Sequence, residues 1–171
     1  MAVVSRQRAI LVAIKNVLKA HSELARYNWG VRKRAYNRGS VWEPGAWVCY
    51  GPAVSDYHEN SLDEIVFHAY VVLVEASNGD LEAADEVHAG SLEIAFDIFH
   101  NKSNAYLPGG VKDLNTDVRF ASGPYQMAIT MTDATVGATF DPSAFDSNFD
   151  VSGITVMTRA RVPRLNATSL R

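Results

Sequence analysis

The alternation of apolar and polar residues predicts a long buried strand near the middle of the chain. Residues 65–74 read Ile-Val-Phe-His-Ala-Tyr-Val-Val-Leu-Val, so both alternating faces are almost entirely apolar, with His68 as the main exception. A strand that is apolar on both faces is typically central in its sheet and covered on both sides. We therefore expect this strand to lie at the centre of the fold.

A helix with an apolar stripe is predicted directly after this strand. Asn78-Gly79 is typical of a turn, and Asp80 can accept hydrogen bonds from the free N–H groups that open a helix. Residues 80–101 then repeat apolar side chains at helical spacing, and acidic residues occupy most of the remaining surface. The apolar stripe consists of Leu81, Ala84, His88, Leu92, Ala95 and Phe99.

The same periodicity predicts an N-terminal helix over residues 5–29. Ser5 is a suitable N-cap, and Gly30 can end the helix in a left-handed conformation. The apolar positions form one stripe, and the basic residues lie mainly on the other side. A helix with a basic face can also lie on a membrane surface, but packing on a sheet is its common use in globular domains.

Shorter apolar segments predict the remaining strands. Residues 46–50 form one candidate strand, and residues 114–121 and 125–132 form a candidate pair. The last strand is predicted over residues 154–162, where one face is apolar and Pro163 ends the ladder of hydrogen bonds. The predicted fold class is α+β: a mostly antiparallel β-sheet with an N-terminal helix and a second helix packed on it.

The length of 171 residues predicts a single domain spanning residues 1–171. Residues 39–62 and 133–150 are rich in turn-forming residues, which predicts two extended loops. The first of these segments alternatively holds a pair of short strands. Residues 165–171 are expected to form a short tail that is mobile or docked on a neighbouring molecule.

The composition indicates an ordinary globular chain, with 47% hydrophobic and 20% charged residues. Cys49 is the single cysteine, so the chain contains no internal disulfide framework. Lys15 interrupts the N-terminal apolar segment and no cleavage site follows it, so no signal peptide is predicted. No segment reaches the roughly 18 apolar residues of a membrane span, so we expect no membrane partner.

The net charge of −3 conceals a strong segregation of charge along the chain. Residues 1–38 carry nine Lys and Arg against one Glu, a net charge of +8, whereas residues 39–100 carry twelve Asp and Glu and no Lys or Arg. The two segments either fold against each other within one subunit or lie on separate surfaces that meet between copies. The basic segment, with its interleaved aromatic residues, also has the composition of a nucleic-acid-binding surface.

No catalytic signature is present in the sequence. The chain has no nucleophile elbow, no zinc-protease motif, no Cys-x-x-Cys pair and no phosphate-binding glycine loop. Asp56, His58 and Glu59 lack a further ligand at the spacing of known metal sites, so they do not predict one. We therefore predict that the protein is not an enzyme, with no catalytic, cofactor-binding or metal-binding residues.

The order of the predicted elements resembles that of the tail terminator (tail completion) proteins of long-tailed bacteriophages. The likeness rests on residues 7–25, the strand that leads into Asn78-Gly79-Asp80, the helix end at residues 92–99 and the closing strand at residues 154–162, together roughly two-thirds of the chain. It implies a structural virion protein made in the host cytoplasm. Such a protein forms a hexameric ring that caps the tail tube and joins it to the head.

This resemblance also implies the partners of the protein. They are further copies of the chain, the tail tube protein and the head–tail connector or stopper protein, with DNA only passing through the lumen of the ring. Two other interpretations remain open: another component of the head–tail neck, such as a stopper or connector protein, and a nucleic-acid-binding module that uses the basic segment.

A ring of identical subunits requires two different surfaces that fit each other, and the charged segments supply candidates for both. We expect basic residues of one copy to approach acidic residues of the next, which would set the register of the contact more than its affinity. The predicted subunit-interface residues are Arg32, Lys33, Arg34, Arg38, Glu82, Asp85, Glu86 and Glu93.

Overall fold

A computed structural model of the protein describes residues 5–33, 45–59, 62–76, 81–100, 102–103, 128–136 and 149–163. These residues form two helices and six strands. In chain order the elements are α1 (Arg6–Ala20), β1 (Trp29–Arg32), β2 (Gly45–Glu59), β3 (Leu62–Ala76), α2 (Leu81–Phe99), β4 (Lys102–Ser103), β5 (Ala128–Val136) and β6 (Phe149–Pro163).

The described strands form one sheet in the order β1-β2-β3-β6-β5-β4. Neighbouring strands are antiparallel, apart from β1 and β2, which are parallel. Together with α1 at the N-terminus and α2 packed on the sheet, this arrangement confirms the predicted α+β class.

The strand predicted to be central is central in the sheet. β3 pairs with β2 on one side and with β6 along its whole length on the other. Phe67, Val71 and Leu73 are buried on one face, and Val72 and Val74 are fully buried on the opposite face. The apolar composition of both faces therefore predicted the position of this strand correctly.

Both helices pack on the same face of the sheet. Ile10 and Leu11 of α1 share one buried cluster with Ala95 and Phe99 of α2 and with Leu73 of β3. α1 lies over β1 and β2, and α2 lies mainly over β5 and β6. The two helices therefore cover different ends of the sheet.

The predicted N-terminal helix is wrong at its C-terminal end, because α1 stops at Ala20. His21 has extended backbone angles, φ −75° and ψ 132°, and its N–H donates to the carbonyl oxygen of Leu18 over 3.2 Å. A series of turns follows and also buries Leu24. The apolar spacing continues through these turns, which is why periodicity alone did not reveal the end of the helix.

Gly30, predicted as the helix terminator, is a strand residue instead. It pairs with Trp47 in the parallel ladder between β1 and β2. A Cβ atom at this position would lie 3.2 Å from Cδ1 of Trp47. The absence of a side chain at position 30 therefore makes room for the indole ring.

The predicted loop over residues 39–62 is corrected by β2, which continues from Gly45 to Glu59 as one strand. Gly51 and Pro52 do not end this strand, because the ladder with β3 absorbs them as a register shift between Tyr50 and Ala53. A Cβ atom at Gly51 would lie 2.8 Å from the carbonyl oxygen of His68, which explains why glycine occupies the site of this shift.

The C-terminal strands differ from the prediction mainly in their ends. β5 covers residues 128–136 and therefore takes in the first residues of the predicted loop 133–150, whereas β6 extends the predicted strand 154–162 at both ends. Predictions for Asp80, for the strand at residues 114–121 and for the tail at residues 165–171 fall outside the described residues.

No helix in the described ranges combines the length and apolar character needed to cross a membrane.

Candidate functional site

A cleft of about 420 Å³ opens between the start of α1 and the first two strands. Arg8 lines it from α1, and Arg32 and Lys33 line it from the end of β1. Val31 and Tyr50 form an apolar portion of its wall. The three basic residues are exposed, whereas Val31 and Tyr50 are half-buried. We refer to these five residues as the basic cleft.

Local contacts fix the shape of the basic cleft. The Ser5 side chain caps α1 by accepting a hydrogen bond from the backbone N–H of Arg8 over 3.2 Å. Nε2 of Gln7 donates to the carbonyl oxygen of Gly51 over 2.8 Å, which ties the first turn of α1 to the register shift in β2. The cleft is therefore formed by segments that are far apart in sequence.

The charge of the basic cleft is not neutralised within the described part of the chain. Arg8, Arg32 and Lys33 form no ion pair with a carboxylate among these residues. Arg26, which belongs to the same basic segment, instead pairs with Oε1 of Glu75 over 2.6 Å. Arg26 of the basic segment is thus paired within the subunit, whereas the cleft cations have no carboxylate partner among the described residues.

An acidic surface lies on the other helix. Glu86, Glu93 and Asp97 are exposed, and their spacing of seven and four residues places them on one side of α2, away from the buried Ala95 and Phe99. None of the three forms an ion pair with another described residue. We refer to these three carboxylates as the acidic stripe.

Four of the eight predicted interface residues have described side chains. Arg32 and Lys33 lie in the basic cleft, and Glu86 and Glu93 lie in the acidic stripe. None of these cations is paired with either of these acids within one copy. A single copy therefore keeps the two predicted charge partners apart.

The other four predicted interface residues are only partly located. Arg34 and Arg38 lie outside the described residues. Glu82 and Asp85 are positions in the first turns of α2, but their side chains are also outside the described part.

The prediction missed Arg8 and Tyr50 in the cleft and Asp97 in the stripe. Arg8 and Asp97 are visible in the sequence as charged positions on predicted helix surfaces. Tyr50 enters the site because β1 runs parallel to β2, with Val31 opposite Val48 in the ladder. No local sequence signal reveals a pairing between segments separated in this way.

A second polar cluster joins the turns after α1 to β3 and α2. The Tyr27 hydroxyl donates to Oε1 of Glu75, and the Arg26 guanidinium donates to the same oxygen and to Oγ of Ser91, the latter over 2.9 Å. Burial, together with the hydrogen bond to Glu75, raises the pKa of Tyr27 to about 12. The phenol therefore remains protonated at neutral pH and acts as a donor to Glu75.

His88 extends this cluster toward β6. Its Nε2 contacts Oγ of Ser152, and its Nδ1 lies 3.8 Å from Oε2 of Glu75. The order Ser152–His88–Glu75 is that of a hydrolase triad, but 3.8 Å is too long for a hydrogen bond that would orient the ring. Nδ1 of His88 is indeed buried without a hydrogen-bond partner. In this geometry the cluster joins β3, α2 and β6.

Two further groups bear on possible chemistry. Burial raises the pKa of the Cys49 thiol to about 12, so the thiol is protonated and a poor nucleophile at neutral pH. Within the described ranges, no group of three or more His, Cys, Asp or Glu side chains is arranged to hold a metal ion.

Comparison of the chain with models of known protein families gives no match. Comparison with curated proteins gives no match either. The charged surfaces of the two helices and the first strands are thus the features from which a function can be argued.

Proposed function

We propose that the protein is a structural subunit that assembles head to tail with copies of itself into a ring. The single observation that supports this proposal most strongly is the separation of its charges. The basic cleft and the acidic stripe are both exposed, opposite in sign and without ion-pair partners among the described residues of one copy. The acidic stripe of one copy can therefore neutralise the cations of the basic cleft of another.

The positions of the two surfaces also favour a head-to-tail contact. β1, which carries Arg32, is an edge strand of the described sheet. α2 packs mainly over β5 and β6, near the opposite edge of that sheet. A contact between two different surfaces repeats from copy to copy and closes into a ring when the rotation per copy allows it. The contact pairs Arg32 and Lys33 of one copy with Glu86 and Glu93 of the next.

The resemblance to tail terminator proteins gives this ring a role. In this proposal a hexamer caps the tail tube of a long-tailed bacteriophage, stops its growth and binds the head–tail connector, while DNA passes through the lumen. The protein is then a structural component of the virion and has no catalytic activity. Binding to purified tail tube protein, rather than to a connector on the portal side, distinguishes a terminator from another neck protein.

The test of self-assembly is a charge exchange between the two surfaces. We expect the wild-type protein to form a multimer near six subunits, measured as its mass in solution, and the multimer to weaken as salt screens the charges. The variant Glu86→Lys/Glu93→Lys and the variant Arg32→Glu/Lys33→Glu should each be monomeric. An equimolar mixture of the two variants should assemble, because each acidic surface again meets a basic one.

Two controls make the result interpretable. The circular dichroism spectrum of each monomeric variant must match that of the wild type, and each variant must unfold in one cooperative transition, which excludes misfolding. Glu23→Lys changes an exposed acid outside both surfaces and should leave the multimer intact. Failure of the mixed variants to assemble would overturn the pairing of these two surfaces.

The basic cleft also supports a second candidate function, the binding of nucleic acid by a monomer. Three cations line the same cleft as the half-buried Tyr50, and such a combination of basic and aromatic side chains binds single strands in many proteins. A monomeric wild-type protein that binds a DNA oligonucleotide in a salt-dependent manner, and loses this binding in Arg32→Glu/Lys33→Glu, would favour this function over assembly.

A further inference from the structure

One row of α2 beside the acidic stripe is apolar and partly exposed. Val87, Gly90 and Ile94 follow each other at spacings of three and four residues, which places them in line along the helix. The Val87 side chain is 48% exposed, and Ile94 is half-buried. This apolar row borders Glu86 and Asp97 on the helix surface.

Gly90 is the unusual member of the apolar row. Glycine in the interior of a helix lowers helix stability relative to alanine, so its presence calls for a reason. Apart from the adjoining residues and backbone of α2 itself, no described atom lies within 4 Å of the position that a Cβ would take at Gly90. Packing within the described part of the subunit therefore does not require glycine, whereas the close approach of another molecule would.

The basic cleft has the matching composition. Its wall combines the half-buried Val31 and Tyr50 with the exposed Arg8, Arg32 and Lys33. An apolar centre surrounded by charge is the usual organisation of a protein–protein contact. On α2 the apolar row borders a row of carboxylates, and in the cleft the apolar wall borders cations. The two surfaces can therefore meet with apolar residues against apolar residues and carboxylates against cations.

We propose that the apolar row of α2 from a second copy of this chain enters the basic cleft, with Gly90 at the point of closest approach. Val87 and Ile94 then pack against Val31 and Tyr50, while the acidic stripe meets the cleft cations. This inference rests on the proposed head-to-tail assembly and adds an apolar centre to a contact that charge alone would only orient. It also assigns Tyr50 and Gly90 as determinants of the interface.

The test uses a neutral side chain that adds bulk without changing charge. In Gly90→Gln we expect the dissociation constant of the multimer, measured by sedimentation, to rise at least tenfold. The matched control is Ala89→Gln, which introduces the same side chain at the preceding exposed position, on the other side of the acidic stripe. It should assemble within about twofold of the wild type. Because glutamine favours helix over glycine, Gly90→Gln should fold at least as well as the wild type.

The possible outcomes separate this inference from the function on which it rests. If the wild type and the mixed charge variants stay monomeric at high concentration, self-assembly itself is overturned. If the wild type assembles and Gly90→Gln assembles equally well, only the apolar contact is overturned. Binding of a DNA oligonucleotide to the cleft of the assembled wild type would also overturn it, since the cleft would then be free in the multimer.

Discussion

The guanidinium carbon of Arg32 lies 4.1 Å from the centre of the Trp47 ring on the adjacent strand. Trp47 is only 5% exposed, so the ring is held firmly and holds the cation above it in turn. A guanidinium over an aromatic face gains electrostatic and packing energy while its N–H groups stay available at its edge. Trp47 belongs to the buried cluster on the sheet face opposite the helices, so the contact holds the Arg32 guanidinium at the margin of the basic cleft, on that face, before any partner binds.

Replacing Arg32 by an apolar side chain of similar length tests how much its contact with Trp47 contributes to stability. In Arg32→Met we expect the free energy of unfolding to fall by about 0.5–1 kcal/mol, the typical contribution of an exposed cation–π contact. Urea denaturation of the monomer measures this change. Lys33→Met removes a neighbouring charge without an aromatic contact and should leave stability unchanged, so an equal loss in both variants would contradict a special role for the Trp47 contact.

Tyr27 should make the protein less stable at alkaline pH. Its pKa is raised from 10.0 to about 12 in the folded protein, so its contribution to stability is complete below pH 10 and disappears as the pH rises toward 12. Two pKa units correspond to an upper limit of about 2.7 kcal/mol. Urea denaturation at a series of pH values should therefore show a larger loss for the wild type than for Tyr27→Phe.

The comparison with Tyr27→Phe is necessary because other groups also titrate in this range. Cys49, whose pKa is raised to about 12 by burial, is present in both proteins, so its effect cancels in the difference. Below pH 9, Tyr27→Phe should be less stable than the wild type by about 1 kcal/mol, since it lacks the hydrogen bond to Glu75. Parallel pH profiles for the two proteins would argue against this contact.

Substitution by alanine should lower the stability of the protein at Gly51 and raise it at Gly90. Gly51→Ala places a Cβ atom 2.8 Å from the backbone oxygen of His68, so the strand must shift, at a cost of about 1–3 kcal/mol. Gly90→Ala places its Cβ in open space on α2 and should stabilise the subunit by about 0.5–1 kcal/mol. Thermal or urea unfolding of the two variants measures both effects, and each variant serves as the control for the other.

The elements that the sequence predicted well are those whose own periodicity determines their surroundings. β3 carries apolar residues on both faces and is central, and α2 buries Ala95 and Phe99 as its stripe indicated. One face of β6 is buried at each predicted position from Ile154 to Val162. In these segments local pattern and tertiary environment agree, because burial of the apolar face dominates their energetics.

The missed strand β1 and the missed cleft residues share a different cause, which is pairing between distant segments. Nothing in the four residues of β1 predicts a strand until β2 is available as its parallel partner. The same applies to the cleft, which brings Arg8 beside Tyr50, and to the contact of His88 with Ser152. The charge segregation identified Arg32, Lys33, Glu86 and Glu93 as exposed charged residues, but their spatial separation became visible only in the fold.

The cleft also makes the proposed assembly a check on folding. Its walls come from the first turn of α1, from β1 and from β2, and the Gln7–Gly51 hydrogen bond closes them together. An unfolded or partly folded chain carries the same positive charges but holds them in no fixed arrangement. It therefore has no basic cleft that a neighbouring copy could bind. A ring built through this cleft therefore incorporates only copies in which α1, β1 and β2 have already come together.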